Sequence, residues 1–457
     1  MTEPVTLPLW AFLLILTFAA VTFASHFLFP SVRWFFRKRA ERVVGRLNRR
    51  LRKPIEPFKL ARRYDMIQRL IYDPEVTQAI VDHARDNGVP ENVAFETARR
   101  YAREIVPSFS ATAYFTVGTR IARWLSKALY RVRLGSFPRD KLDAIAPDAT
   151  VVFVMNHRSN MDYVLVTYLV SRTGALSYAV GEWARVWPLS SIIRMMGAYF
   201  IRRRSRGNLY RRVLARYVQM ATANGVAQAM FPEGGLSLTG ALAPPKLGLL
   251  NYIVTIPDSG ASRDVIFVPV ALNYDRVLED TYLVAAGEAG VRRFRPPIGD
   301  ILRALWKHLR DRMSGRWKGL GIASVGFGEP LDLRSFAEAV DGDLTEAVAA
   351  ELMARIAAVV PVLSGPLVAD GLLRGITDEG VLVSEIATRV RTLTDSGIAL
   401  PRRDAATFVP DMLSRFVLRG HITRKDGQLA ITPKGRPILT YYANSIAHHL
   451  DPIPPRN

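Results

Sequence analysis

The feature of this sequence that most constrains its fold is an alternation of short strand-like runs with helical runs between about Lys141 and Leu333. The strand-like runs are rich in β-branched and aromatic residues: TVVFVM, LSYAV, AYFI, VAQAMF, VIFVPVAL and IASVGFG. Strands separated by segments of helix length are typical of a sheet whose faces are covered by helices. The sequence therefore predicts an α/β fold with a mixed sheet.

Helical patterns flank this domain. DPEVTQAIVDHARDN begins with an aspartate cap followed by proline, and ATAYFTVGTRIARWLSKALYRVRL repeats apolar residues at helical spacing throughout. FVPDMLSRFVLRGHITRKDGQLAITPKG predicts a helix leading into a hairpin that turns at KDGQ. We expect five regions: an anchoring helix (1–30), a basic segment (31–63), a helical region (64–133), the α/β domain (134–333) and a mostly helical region (334–457).

The segment from Leu7 to Phe29 is apolar and long enough to cross a bilayer, for which about 20 residues suffice. No Lys or Arg precedes it, which argues against a cleaved signal peptide. From Ser31 to Arg63 there are 13 Lys and Arg residues and only two acidic ones. The positive-inside rule then predicts an inner-membrane protein whose later residues lie in the cytoplasm, where the basic segment can lie against anionic headgroups. The alternative is a buried core helix followed by a solvated basic face.

The charge balance also limits the partners. The chain of 457 residues carries a formal charge of +21, which favours an anionic partner such as lipid headgroups, nucleic acid or an acidic carrier. It has no cysteine, so disulfides, thiolate metal sites and a thiol nucleophile are all excluded. There is also no G-x-S-x-G, Walker A or H-E-x-x-H motif.

A histidine and an aspartate follow the first predicted strand of the domain, in NHRSNMD. His157 comes just after the apolar run, and Asp162 lies five positions later at the start of the next helix. The carboxylate could accept a hydrogen bond from one imidazole nitrogen and leave the other as a general base. Such a base could take the proton of a substrate hydroxyl that attacks an activated acyl group directly. The alternative is that Asp162 merely caps a helix.

Three later stretches add charged groups. Between Arg194 and Arg216 there are eight arginines and no acidic residue, and one of them could hold a phosphate as a bidentate fork. FPEGG places Glu233 beside a glycine turn at Gly234, where backbone can approach a ligand. APPKLGLL then adds Lys246.

With these residues the chain resembles the glycerol-3-phosphate acyltransferase family, whose four blocks match NHRSNMD, GAYFIRR, FPEGG and VPVALNY. The similarity runs from about Ala113 to Pro330, and YYANSIAHHL is similar to the family's C-terminal tail. The resemblance implies a membrane-associated acyltransferase fold that uses acyl-CoA or acylated carrier protein, glycerol 3-phosphate and no metal or other cofactor.

The resemblance also implies roles for particular residues. His157 would be the general base and Asp162 would orient it. Arg203 would bind the acceptor phosphate, while Glu233 and Ser237 would position glycerol oxygens.

One departure bears on the acceptor. Leu236 and Leu238 stand where the family's third block commonly has arginine. Either the remaining cations hold the phosphate, or the acceptor is not glycerol 3-phosphate, and the basic second block favours the first. These cations are Arg202, Arg203, Arg206 and Lys246.

Other acceptors and a different class of protein stay open. Dihydroxyacetone phosphate and lysophosphatidate are acceptors for acyltransferases that share the four blocks. The basic charge and the wing-like HITRKDGQLAITPKG are also compatible with nucleic-acid binding, although the anchoring segment and the His157–Asp162 pair argue against it. The sequence therefore predicts no nucleic-acid partner.

Overall fold

The computed structural model describes residues 8–171, 173–181, 189–202, 207–255, 263–290, 310, 319–394, 397–425 and 427–450. The chain divides into two compact units, Met1–Pro54 and Ile55–Asn457.

The first unit is built on one helix, α1 (Leu9–Asn48). Within the part of the chain that the structure describes, no helix combines the length and the apolarity needed to cross a membrane. The predicted anchoring segment begins at Leu7, outside the described residues, and most of the side chains from residue 20 to residue 37 lie outside them as well.

In the second unit, helices surround a central sheet. The N-terminal helices are α2 (Pro57–Leu60), α3 (Arg63–Ile71), α4 (Pro74–Asn87), α5 (Glu91–Ile105), a π-helical turn (Ala113–Gly118) and α6 (Thr119–Leu129). The helices interleaved with the strands are α7 (Arg139–Asp143), α8 (Met161–Val170), α9 (Leu189–Met195), α10 (Asn208–Ala223), α11 (Leu247–Val254) and α12 (Asp280–Glu288). The C-terminal helices are α13 (Leu333–Ala337), α14 (Leu344–Ala358), α15 (Ser364–Leu373), α16 (Glu379–Thr394), α17 (Ala405–Leu418), α18 (Gly435–Asn444) and a 3₁₀ turn (Ala447–His449).

The sheet contains β1 (Arg131–Leu134), β2 (Thr150–Met155), β3 (Ser177–Gly181), β4 (Tyr199–Ile201), β5 (Gln228–Met230), β6 (Val265–Tyr274), β7 (Ile322–Phe327) and β8 (Leu331–Asp332). Its order is β1-β7-β6-β2-β5-β3-β4, with β8 paired to β6. Most neighbours are parallel, whereas β6 runs antiparallel to β7 and β8. The mixed sheet covered by helices is therefore confirmed.

Both faces of the sheet are buried. Along β2, Phe153 and Met155 belong to one hydrophobic cluster, and Val152 and Val154 belong to another. Successive side chains of a strand point to opposite faces, so a strand that is buried on both faces needs an unbroken apolar run. The first cluster includes the C-terminal helices α15 to α18, and the second includes α3 to α5. Both flanking helical regions thus complete the core of the sheet.

The interpretation of residues 111–134 as one continuous helix is wrong at its end. The helix stops at Leu129, and Arg131–Leu134 forms β1, paired in parallel with β7. The partner strand begins almost 200 residues later, and a pairing at that separation has no local sequence signal.

Two local predictions are confirmed. Asp73 caps α4 by accepting a hydrogen bond from the Glu75 backbone N–H at 3.1 Å, with Pro74 in the first turn. The C-terminal hairpin consists of β9 (Ile422–Lys425) and β10 (Gln428–Ile431), with Lys425 opposite Gln428.

Candidate active site

The carboxyl ends of β2, β5 and β6 lie at one edge of the sheet because these strands run parallel. His157 follows β2, Glu233 follows β5, and Tyr274 is the last residue of β6. Asn156 fixes the loop after β2 to β6, because its side-chain amide donates to the Leu272 carbonyl at 3.0 Å and accepts from the Leu272 N–H at 2.7 Å. Parallel pairing thus gathers polar groups from distant parts of the sequence at this edge.

The predicted histidine–aspartate pair is formed. The Nδ1 atom of His157 lies 2.9 Å from Oδ2 of Asp162, and both side chains are almost completely buried. Asp162 is in the first turn of α8. The loop between β2 and α8 places the His157 imidazole against the Asp162 carboxylate. Among the described residues, Nε2 of His157 has no hydrogen-bond partner. The pair therefore presents one imidazole nitrogen to the site and holds the other.

Three further donors fix the Asp162 carboxylate. Oδ2 also accepts hydrogen bonds from the backbone N–H groups of Arg158 and Ser159, at 2.7 and 3.0 Å. Oδ1 accepts one from the Tyr274 hydroxyl at 2.5 Å. Hydrogen bonds to the ionised form stabilise a buried carboxylate, which would otherwise be costly to desolvate. The same bonds leave the carboxylate little freedom to rotate away from His157.

Aromatic rings hold the His157 imidazole in place. It stacks on Phe231 with ring centroids 3.9 Å apart and an interplanar angle of 21°. Tyr163 meets the imidazole edge-on at a centroid distance of 5.4 Å. Phe231, just after β5, and Tyr163 of α8 thus position the ring together with Asp162.

Glu233 joins the loop after β5 to the histidine. Its Oε1 accepts a hydrogen bond from the His157 backbone N–H at 3.0 Å, and its Oε2 accepts one from the Ala243 N–H at 3.1 Å. Burial raises the pKa of Glu233 from its usual 4.5 to about 7, although the positive charge of Arg158 and these two hydrogen bonds act in the opposite direction. Glu233 is therefore a buried carboxyl that ties two loops together beside the base.

The rest of the third block folds around this connection. The Ser237 backbone N–H donates to the His157 carbonyl at 2.9 Å, and its hydroxyl donates to the Ala241 carbonyl at 2.7 Å. Gly234 has a φ of +68°, and a Cβ there would lie 2.7 Å from Cδ of Lys246. The positive φ favours glycine, and the exposed Lys246 side chain lies against this glycine turn.

The arginines of the second block are placed differently. Arg202 makes a bidentate ion pair with Glu104 of α5, at 2.8 and 2.7 Å, and its guanidinium lies over the rings of Tyr101 and Tyr210. Arg203 and Arg206 lie outside the described residues. The predicted contacts of Arg202 and Arg203 with a substrate stay predictions.

Sequence reasoning missed two buried charges in the site. Glu279, in the loop after β6, accepts hydrogen bonds from the Ser159 hydroxyl at 2.7 Å and from the Asn160 backbone N–H at 3.1 Å. Arg158 is 2% exposed, and its Nη2 donates to the Ser445 carbonyl at 3.2 Å. Burial lowers the pKa of this guanidinium. Arg158 belongs to NHRSNMD and Glu279 comes five positions after VPVALNY, but their partners are more than 100 positions away.

The matches to known proteins include His157, Asp162 and Glu233. The Acyltransferase family model matches residues 139–273, and the model of the glycerol-3-phosphate acyltransferase C-terminal region matches residues 299–452. The glycerol-3-phosphate acyltransferase of Actinobacillus succinogenes is 33% identical over 286 residues, which are 61% of this chain and 33% of that protein. The one from Aeromonas hydrophila is 34% identical over 283 residues, which are 61% of this chain and 34% of that protein. The matches thus span about a third of the length of these relatives.

A solved structure is similar to part of this chain. The crystal structure of the 1-acyl-sn-glycerophosphate (LPA) acyltransferase PlsC from Thermotoga maritima aligns with 61% of this chain and 95% of that one. The identity is 20% and the TM-score is 0.31, a likeness that supports no conclusion about a shared fold.

The α/β sheet, the histidine–aspartate pair at its edge and the first family model together define a domain of the acyltransferase class. The C-terminal model and the named relatives are more specific. Over the matched residues, the chain is similar to the glycerol-3-phosphate acyltransferase family.

Proposed function

We propose that this protein is an acyltransferase that moves an acyl group from an acyl thioester to the sn-1 hydroxyl of glycerol 3-phosphate. The observation that carries the proposal is the His157–Asp162 contact of 2.9 Å, with Nε2 of the imidazole turned away from the carboxylate. The donor is the thioester of coenzyme A or of acyl carrier protein. The similarity to glycerol-3-phosphate acyltransferases supports glycerol 3-phosphate as the acceptor.

The geometry supports direct transfer between the two substrates. Asp162 accepts the hydrogen bond from Nδ1–H of His157, which leaves the lone pair of Nε2 to take the proton of the acceptor hydroxyl. The hydroxyl oxygen then attacks the thioester carbonyl, so that a C–O bond forms and the C–S bond breaks. The thiolate leaves with the proton that His157 has taken. Asp162 stabilises the imidazolium between these two proton transfers.

Because position 236 is a leucine, other residues must supply the positive charge that binds the acceptor phosphate. Leu236 and Leu238 pack against the hydrophobic core, which makes them unsuited to hold an anion. Lys246 lies against the glycine turn beside Glu233, and Arg203 follows β4 in the second block. We assign Arg203 and Lys246 to the phosphate, and Glu233 and Ser237 to the loop that positions the glycerol.

The experiment is an acyl-transfer assay with one labelled acyl thioester and each candidate acceptor in turn. His157→Ala is expected to lower kcat by about 10²–10⁴-fold, the usual effect of losing a general base. The matched control is His83→Ala, which removes a half-buried histidine of α4 and should leave kcat unchanged. Normal turnover in a folded His157→Ala protein would refute the mechanism. Dihydroxyacetone phosphate or lysophosphatidate accepting the acyl group faster than glycerol 3-phosphate would refute the substrate.

We also propose that the protein works at the cytoplasmic surface of the inner membrane. An apolar stripe on the second unit supports this: Val117, Ile121 and Trp124 lie at helical spacing and are 55%, 54% and 64% exposed. Arg120, Arg123 and Lys127 flank the stripe, and no acidic residue occurs from residue 105 to residue 139. Exposed apolar residues with tryptophan and flanking cations are typical of a helix that lies in a membrane interface. α6 packs against α8, which carries Asp162.

A vesicle-flotation assay tests this surface. Trp124→Glu is expected to reduce binding of the full chain to vesicles that contain anionic lipid, because it places a charge within the apolar stripe. Leu418→Glu is the matched control, since Leu418 is 82% exposed at the end of α17 and is not part of α6. Equal loss of binding in both variants would contradict the assignment of the surface to α6.

A further inference from the structure

Beside the active site lies a second cavity, which has charged side chains in its lining and is not used in the mechanism above. It has a volume of about 150 Å³ and lies between the beginnings of β1 and β7 and helix α17. Five cations line it: Lys127, Arg131, Arg133, Arg403 and Arg415. Two carboxylates, Asp275 and Asp411, also line it, so that the cavity has an excess of positive charge.

Both carboxylates already have partners. Asp275 is buried, and its oxygens accept hydrogen bonds from the Ile322 backbone N–H at 2.8 Å and the Gly365 N–H at 3.0 Å. It therefore joins β6 to β7 and to the beginning of α15. Asp411 pairs with Arg415 at 3.3 Å and with Arg403 at 4.0 Å. Asp411 is thus paired with two of the five cations, and Asp275, which attracts Arg133 and Arg415, is the one other carboxylate in the described lining.

The cations of β1 are crowded together. Arg131 and Arg133 are two positions apart on one strand, so their side chains leave the same face of the sheet. Burial and the positive charges of Arg402 and Arg403 lower the pKa of the Arg133 guanidinium. Within the described part of the chain, the buried Nε of Arg415 has no hydrogen-bond partner. Folding thus brings like charges together without a matching number of protein anions.

From this cavity we infer a binding site for a phosphate-bearing anion. Arginine guanidinium groups provide forked donors that match phosphate oxygens. The volume suits a phosphate or diphosphate group, because pockets for drug-sized ligands are larger, about 300–1,000 Å³. The net positive charge excludes a cation as the ligand.

The cavity is close to the catalytic pair. It is lined by Tyr130, whose ring lies 5.2 Å from that of Tyr274, and the Tyr274 hydroxyl donates to Asp162. β1 is three strands from β2 in the sheet, which corresponds to about 14 Å. Two sources of the phosphate fit this position. One is the carrier group of the acyl donor, since coenzyme A and acyl carrier protein both carry a phosphopantetheine phosphate, and the other is a separate phosphate-bearing effector.

Equilibrium dialysis of the detergent-purified full chain with labelled pyrophosphate tests the site without any need for activity. Saturating glycerol 3-phosphate is present to occupy the proposed acceptor site. Arg133→Gln and Arg403→Gln are each expected to weaken pyrophosphate binding about tenfold or more, because each removes a charge-assisted contact. The matched control is Arg436→Gln, an exposed arginine of α18 outside the cavity lining, which should bind as the wild type does.

Two results would overturn the inference: no saturable binding to the wild type up to about 10 mM pyrophosphate, or equal binding by the wild type and both cavity variants. Arg403 is exposed, so its variant decides the question if Arg133→Gln fails to fold.

Competition identifies the source. Displacement of pyrophosphate by coenzyme A or acyl carrier protein, with a raised donor KM in the cavity variants, assigns the site to the donor. If both variants lose pyrophosphate binding but neither coenzyme A nor acyl carrier protein displaces it from the wild type, the site belongs to a separate phosphate-bearing effector. These binding results stand even if acyl transfer to glycerol 3-phosphate is not detected, so the proposed function and the cavity can fail independently.

Discussion

Asparagine in place of Asp162 separates the charge of the carboxylate from its geometry. Oδ2 accepts hydrogen bonds from Nδ1–H of His157 and from two backbone N–H groups, so the amide oxygen of asparagine is expected to take that position. The NH₂ group then faces the Tyr274 hydroxyl, which can accept a hydrogen bond as readily as it donates one. The imidazole should therefore keep its tautomer and orientation, and the protein should fold.

The expected loss is the stabilisation of the imidazolium that forms when His157 takes the proton. The 2.9 Å contact between Nδ1 and Oδ2 puts the two charge centres about 4 Å apart, which is worth about 4 kcal/mol at an effective dielectric constant of about 20. Such a loss corresponds to a decrease in kcat of about a thousandfold. Both substrates should bind nearly as before, because the Asp162 side chain is fully buried.

The assay is single-turnover transfer of labelled acyl groups to glycerol 3-phosphate by Asp162→Asn, with circular dichroism to confirm folding. Tyr274→Phe is the companion variant, since it removes one hydrogen bond to the other oxygen and keeps the charge. Its expected loss is about 10- to 100-fold, from about 1.5–3 kcal/mol for a hydrogen bond to a charged group. A folded Asp162→Asn protein that retains kcat to within about tenfold, or a larger loss in Tyr274→Phe, would refute this reasoning.

Two further predictions concern stability. Because the pKa of Glu233 is raised from 4.5 to about 7, the folded state keeps its proton while the unfolded state loses it, so the free energy of unfolding falls by about 3 kcal/mol between those pH values. Urea titrations of Glu233→Gln should lack this fall, and an unchanged pH dependence would show that Glu233 is not its source. Gly240→Ala should cost about 2–5 kcal/mol, because a Cβ at a φ of +82° would lie 1.8 Å from the Tyr441 carbonyl oxygen. Gly427→Ala has a similar φ with no atom within 4 Å, so it should cost about 1–2 kcal/mol, and equal losses would contradict the clash.

The local features of this protein were predictable because their causes are local. Six strand-like runs became strands, since an apolar β-branched run has few other ways to bury its side chains on both faces. The same runs placed His157 and Glu233 after parallel strands, and parallel strands end at a common edge. The sequence by itself thus determined the α/β class, the histidine–aspartate pair and the strand-end position of the site.

Tertiary structure decided the partners of these residues. Tyr274 reaches Asp162 across 112 positions, Arg202 pairs with Glu104 across 98, and Arg158 donates to Ser445 across 287. β1 is a strand only because β7 lies beside it, and the cations of the second cavity meet only when α17 packs beside β1. Such contacts follow from packing two layers of helices onto one sheet. No spacing along the chain encodes them, because the free energy that fixes them comes from burial shared by the whole core.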